Sequence, residues 1–116
     1  MTGENSSAQM RKGVLEYCIL LAISSREVYA GEILEALREA ELLVVEGTLY
    51  PILSRMKNAG WLRYRWEESS GGPPRKYYSL SESGHEALRG MHTAWESMSK
   101  GVSSMIKQAS LRTNKP

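Results

Sequence analysis

Thr48, Tyr50, Ser54, Arg55 and Lys57 crowd the stretch EGTLYPILSRMKNAGWL, residues 46–62, and a second basic pair, Arg75 and Lys76, follows a GGPP run. Hydroxyls interleaved with cations suit phosphate: the hydroxyl donates a hydrogen bond and the ammonium or guanidinium supplies charge. Catalysis needs more. No nucleophile–base pair, glycine-rich phosphate loop or paired-carboxylate arrangement stands out, and Gly71-Gly72 reads as turn chemistry. His85 and His92 stand seven apart with no cysteine or carboxylate spaced to complete a metal set. The sequence therefore predicts neither an enzyme nor a metal site, and it implies no cofactor.

The charge is distributed in the same sense. The formal net charge of +2 hides a gradient: residues 1–45 carry 4 basic and 7 acidic side chains (net −3), residues 46–80 carry 6 and 3 (net +3), and residues 81–116 carry 5 and 3 (net +2). Positive charge gathers where the hydroxyls lie, the distribution of a footprint on a polyanion. A chain of 116 residues makes one domain with a modest core, plus a projecting element that needs a partner. The longest apolar run, Tyr17 to Ile23, is far short of the roughly 20 residues of a membrane span, and MTGENSSAQ has no secretory apolar core. A cytoplasmic protein without a membrane partner is expected. The lone Cys18, in an apolar helix, reads as a small buried hydrophobe.

These side chains need elements to hold them. Val14, Leu15, Cys18, Ile19 and Ala22 recur at helical spacing in a first helix over Ala8 to Ile23, which breaks at SSRE. A second helix over Ala30 to Glu41 turns Ile33, Leu34 and Leu37 inward and Glu32, Glu35, Arg38 and Glu39 outward. A third, Gly47 to Ala59, turns Leu49, Ile52, Leu53 and Met56 inward, with Gly60 as its stop. Pro51 has no N–H to donate, so it is expected in the first turn, with Glu46 to Thr48 at the cap. Thr48, Tyr50, Ser54, Arg55 and Lys57 are then expected at the N-terminal end and outer face, where free N–H groups and the helix dipole favour an anion.

After Gly60 the period changes to two: Leu62, Tyr64 and Trp66 alternate with Trp61, Arg63 and Arg65, SSGGPP interrupts as a flexible loop, and RKYYSL alternates again. Tyr77 and Tyr78 should split, one inward and one outward. Three helices and a hairpin make the plan of a winged helix-turn-helix, whose third helix enters the major groove while the hairpin touches the backbone. The fold class expected is thus mainly α with a small β-hairpin, followed by a long C-terminal helix. Ser81 caps that helix, which runs to about Gln108. Leu88, Met91, Trp95, Met98, Val102, Met105 and Ala109 follow at steps of 3 and 4, a seam for the same helix of a second subunit. Gly90 and Gly101 weaken this helix by about 1 kcal/mol each relative to Ala. The organisation expected is a DNA-binding domain over residues 1–80, a dimerisation helix over 81–110 and a flexible tail over 111–116.

EGTLYPILSRMKNAGWL followed by GGPPRKYYSLSESGHEAL, with YAGEILEAL as a weaker third segment, resembles the PadR-type transcriptional regulators over about residues 10–110. The single long helix after the wing is similar to the short subgroup, some of which sense hydrophobic drugs. In the second helix, Tyr29-Ala30-Gly31-Glu32-Ile33 carries its glycine one place later than the usual pattern of that family. The resemblance implies a dimeric repressor on a palindromic operator in double-stranded DNA, near its own or a neighbouring gene, released by an effector. Carried over by motif, Thr48, Tyr50, Pro51 and Ser54 of the third helix and Arg75 and Lys76 of the wing face DNA. Arg55 and Lys57 join them from helix position and charge alone. The same resemblance puts Trp95 from each subunit around a flat-walled cavity at the dimer centre, lined also by Tyr17, Leu88, His92 and Ser99 and suited to a planar hydrophobic effector. The alternative for Trp95 is plain interface core. For the whole chain the alternative is a winged-helix protein-interaction module without a small-molecule ligand, docking a partner through its acidic second helix and its seam.

Overall fold

The structure, a computed structural model, describes residues 14–42 and 44–109; the expected helix start over 8–13 and the tail 111–116 lie outside the described residues. Helix α1 is described over residues 14–23, and the chain continues through β1 (Val28–Tyr29), α2 (Ala30–Glu39), α3 (Glu46–Asn58), β2 (Leu62–Ser69), β3 (Gly72–Leu80) and α4 (Glu82–Ala109). The strands form one antiparallel sheet in the order β1-β3-β2. The fold is mainly helical with this small sheet and a long last helix, a winged helix. Strand β1 has no forewarning in the sequence, because two residues cannot show a period of two. It exists through its partners, Val28 opposite Tyr78 and Tyr29 opposite Tyr77.

The apolar stripes meet in one core. Ile19, Leu20 and Ile23 of α1 pack with Ile33 and Leu37 of α2, Leu49, Leu53 and Met56 of α3, and Leu62, Tyr78 and Leu80 of the hairpin. Burying each such side chain contributes about 1.5–3 kcal/mol, so the core fixes how α3 and the wing sit together. Cys18 is half-buried and free, and burial pushes its thiol up from the ordinary range. Among the described residues no helix is long and apolar enough to cross a membrane.

Both helix-turn-helix helices end in the same hydrogen-bonded motif. The Gly60 N–H donates to the Lys57 carbonyl at 2.9 Å and the Trp61 N–H to the Met56 carbonyl at 3.0 Å, with Gly60 at φ +86°. Helix α2 stops two residues before the expected Glu41, because Glu41 takes the left-handed position at φ +63° while the Leu42 N–H reaches the Leu37 carbonyl at 2.7 Å. A left-handed non-glycine residue costs about 1–2 kcal/mol, which the two recovered hydrogen bonds offset.

The wing loop is tighter than the SSGGPP segment suggests. Ser69 pairs with Gly72, leaving a two-residue turn with Gly71 at φ +72°. Pro73 and Pro74 enter β3 at an irregularity opposite Glu68, on a stretch that β1 does not reach, so their missing N–H groups break no ladder there.

Helix α4 is fixed at its start. The Ser81 hydroxyl accepts the Gly84 N–H at 3.0 Å, the expected cap, and donates to the Gly60 carbonyl at 2.6 Å. Ser83 donates to the same carbonyl at 3.1 Å, and the Ser81 N–H donates to the Trp61 carbonyl at 2.9 Å. Leu88 and Met91 still rest against the core, whereas Met98, Val102 and Met105 further along α4 are exposed.

Candidate nucleic-acid interface

Helix α3 begins at Glu46 with Val45 as N-cap, one residue before the expected start, so Pro51 lies in the second turn and not the first. The Gly47 carbonyl, four residues back, therefore receives no N–H from position 51. Gly47 lies on the exposed face, where its carbonyl is open to solvent and needs no intrahelical partner. Val45 has no capping side chain, which leaves the first N–H groups of α3 free of one.

With Leu49, Leu53 and Met56 buried, helical phase puts Gly47, Pro51, Ser54 and Asn58 outermost. Tyr50 and Lys57 flank them on the wing side, Thr48 and Arg55 on the α1 side. Contacts agree with this phase. The Lys57 Nζ lies 5.1 Å from the Tyr64 ring centroid on β2, and the Arg55 guanidinium pairs with the Glu16 carboxylate on α1. The expectation that Arg55 and Lys57 sit near the N-terminal end of α3 is thus corrected: both are in its last turn and point to opposite sides.

The hairpin carries its two candidate cations on opposite faces. Lys76 shares a face with Tyr64 and Trp66, its Nζ 4.4 Å and 5.1 Å from their centroids. On the other face the Arg75 guanidinium lies 4.3 Å over the Tyr29 ring, which meets Tyr77 edge-on at 5.6 Å. Gly31, the displaced glycine of the second helix, has a reason here: a Cβ at that position would lie 2.7 Å from a carbon of the Tyr29 ring.

Tyr77 and Tyr78 split as expected, with Tyr78 in the core. Burial pushes the Tyr78 phenol up from its ordinary range, and the neighbouring Tyr50 and Tyr64 raise it further, so α3 and β2 converge on this residue.

Not every cation of the basic segment is available. Arg65 is bonded to Glu27 through three N–O contacts of 2.8–3.0 Å and pairs with Glu67 as well. The hydrogen bond from Arg65 holds the Glu27 carboxyl below the usual carboxylate range. Arg55 and Arg65 are thereby neutralised, whereas Lys57, Arg63, Arg75 and Lys76 have no carboxylate partner among the described residues. Asn58 on the outer face of α3 and Tyr64 and Trp66 on the Lys76 face of the hairpin are further candidates that the sequence did not single out. The alternation after Gly60 carried the signal for the last two, since it aligns them with Leu62 on one face.

The second candidate site forms where α1 crosses α4. The Tyr17 hydroxyl lies 2.7 Å from Nδ1 of His92, and the Tyr17 ring centroid is 6.4 Å from that of Trp95. Nε2 of His92 is 3.5 Å from the Glu96 carboxylate. Trp95 remains 42% exposed, so an aromatic wall stands open on the stripe of the expected seam. Leu88 is half-buried against the core, and the Ser99 hydroxyl turns back to the Glu96 carbonyl at 3.4 Å.

Comparison with known proteins agrees with this architecture. The model of the transcriptional regulator PadR-like family matches residues 19–90. A PadR-like transcription factor from Bacteroides fragilis is 48% identical over 87% of this chain and 98% of its own, with a TM-score of 0.72. A PadR-like transcriptional regulator from Bacillus cereus is 38% identical over 84% of this chain and 96% of its own, with a TM-score of 0.75. Bacillus subtilis PadR, solved in complex with operator DNA, shares the fold at 23% identity and a TM-score of 0.63, over 67% of this chain and 46% of its own. No curated protein sequence matches the chain.

Proposed function

This chain belongs to the PadR-like family of transcriptional regulators, and we propose that it is a homodimer that binds a palindromic operator in double-stranded DNA and represses transcription until a planar hydrophobic effector enters the dimer interface. The observation that carries the reading is one continuous surface. Tyr50, Ser54 and Lys57 of α3 stand beside Lys76 of the wing, with no carboxylate paired to either lysine among the described residues. Outer-face groups of α3, Thr48, Pro51 and Ser54 among them, read the major groove while Arg75 and Lys76 hold the backbone. Arg55, held by Glu16, orders α1 against α3 and reaches phosphate only by leaving that pair. The fold relative from Bacillus subtilis, solved with operator DNA, supports the DNA reading.

Dimerisation through Leu88, Met91, Trp95, Met98, Val102 and Met105 is supported by the exposure of the outer part of this stripe in the single chain. The open wall of Tyr17, His92 and Trp95 on the same stripe supports an effector site shared by two subunits. An electrophoretic shift with DNA from upstream of the chain's own gene tests the reading. A discrete complex that an unrelated duplex does not compete away supports it, and no complex at low salt favours a protein-interaction module instead.

A further inference from the structure

We infer that Tyr64 is a positioning residue for DNA binding, whose ring gathers Lys57 of the recognition helix and Lys76 of the wing into one preorganised phosphate-binding pair. The inference rests on the DNA reading above and adds a residue and a physical cause to it.

Two lysines that approach each other repel, and both long side chains lose rotamer freedom when a phosphate immobilises them. Here the two ammonium groups lie against one ring, 5.1 Å and 4.4 Å from its centroid. The negative face of an aromatic ring attracts cations, so Tyr64 offsets the repulsion and restricts both side chains before DNA arrives.

The ring is itself fixed. It meets the buried Tyr78 at 6.4 Å and 61°, and Trp66 edge-on at 6.5 Å and 84°. Trp66 and Tyr78 also approach the Lys76 Nζ, at 5.1 Å and 6.0 Å from their centroids, so that cation rests against a cluster of three rings. Tyr64 remains 39% exposed, which leaves the ammonium groups open to solvent and to a ligand. Because Lys57 belongs to α3 and Lys76 to β3, a phosphate held by both fixes the recognition helix and the wing on the same strand of DNA.

The test measures affinity for duplex DNA in the parent, Tyr64→Phe, Tyr64→Leu, Lys57→Met/Lys76→Met and the triple variant. Tyr64→Phe keeps the ring face and should bind like the parent, whereas Tyr64→Leu should lose on the order of tenfold on any duplex sequence, although no charge has changed. In the background lacking both lysines, Tyr64→Leu should cost nothing further.

Equal binding by Tyr64→Leu and the parent, an equal loss in the lysine-free background, or a Phe variant as weak as the Leu variant would each overturn the role of the ring. DNA binding by the parent leaves the underlying reading standing in all three cases. A parent that binds no duplex defeats that reading instead, and the role of Tyr64 with it. A second measurement needs no variant: in the free protein the ε-methylene protons of Lys57 and Lys76 should resonate upfield of ordinary lysines through the ring current of Tyr64. Ordinary shifts at both lysines would overturn the inference.

Discussion

Gly84 packs flat against the backbone of Trp61: a Cβ on Gly84 would lie 2.1 Å from the Trp61 carbonyl oxygen. Trp61 follows the last turn of α3 directly, and Gly84 sits in the first turn of α4, so this contact sets the angle between the proposed recognition and dimerisation helices. Gly84→Ala should force α4 away from Trp61 and lower stability by about 1–3 kcal/mol, the usual range for overpacking. Urea unfolding reads this loss, and an unchanged midpoint would mean that the junction yields without strain.

The exposed stripe of α4 gives the second expectation. Met98 and Val102 are 59% and 58% exposed in the single chain, so replacing both with Asp leaves the protomer fold intact. In a paired seam the same change buries unpartnered charges at a cost of several kcal/mol, enough to yield monomers. Light scattering decides: an unchanged dimer mass would show that the subunits pair elsewhere.

Acid sensitivity should trace in part to Glu27. Its hydrogen bond from Arg65 lowers the folded-state pKa, so the stability it contributes is present above the ordinary carboxylate pKa and lost as pH falls through the folded value. Glu27→Gln should therefore be less stable than the parent at neutral pH and converge with it once pH has fallen below the folded-state value. Denaturant midpoints that differ equally at both ends would assign the effect to packing.

Trp95 distinguishes an effector site from plain interface core. A planar cationic dye such as an acridine should stack between Trp95 and its symmetry mate, gaining roughly 0.5–2 kcal/mol from cation–π attraction. Fluorescence quenching should then show weaker binding to Trp95→Ala, with Trp61 and Trp66 as the remaining emitters. Equal affinity in parent and variant would reduce Trp95 to interface core.

The helices could be read in the sequence because their signals are local. The stripe of Leu49, Ile52, Leu53 and Met56, the stop at Gly60 and the cap at Ser81 each lie within a few residues of what they specify. Strand β1 could not, since only its pairing with Tyr77 and Tyr78 defines it. The same limit applies to side chains. Nothing near Arg55 announces Glu16, 39 residues away, and nothing near Lys57 announces Tyr64 across a chain reversal. Pro51 misled for a different reason. The rule placing proline in a first turn rests on its missing N–H, and a Gly47 position exposed to solvent relaxes it.

Whether α3 and the wing grip one duplex is settled by the salt dependence of binding to DNA from upstream of the chain's own gene, followed by fluorescence anisotropy. Each phosphate neutralised contributes a slope of about 0.9 in log affinity against log salt, so Arg75→Ala/Lys76→Ala should reduce the slope by about two and weaken unrelated duplexes equally. Ser54→Ala should leave the slope unchanged and alter the preference for the upstream sequence. An unchanged affinity and slope in Arg75→Ala/Lys76→Ala would contradict the account by removing the wing from DNA.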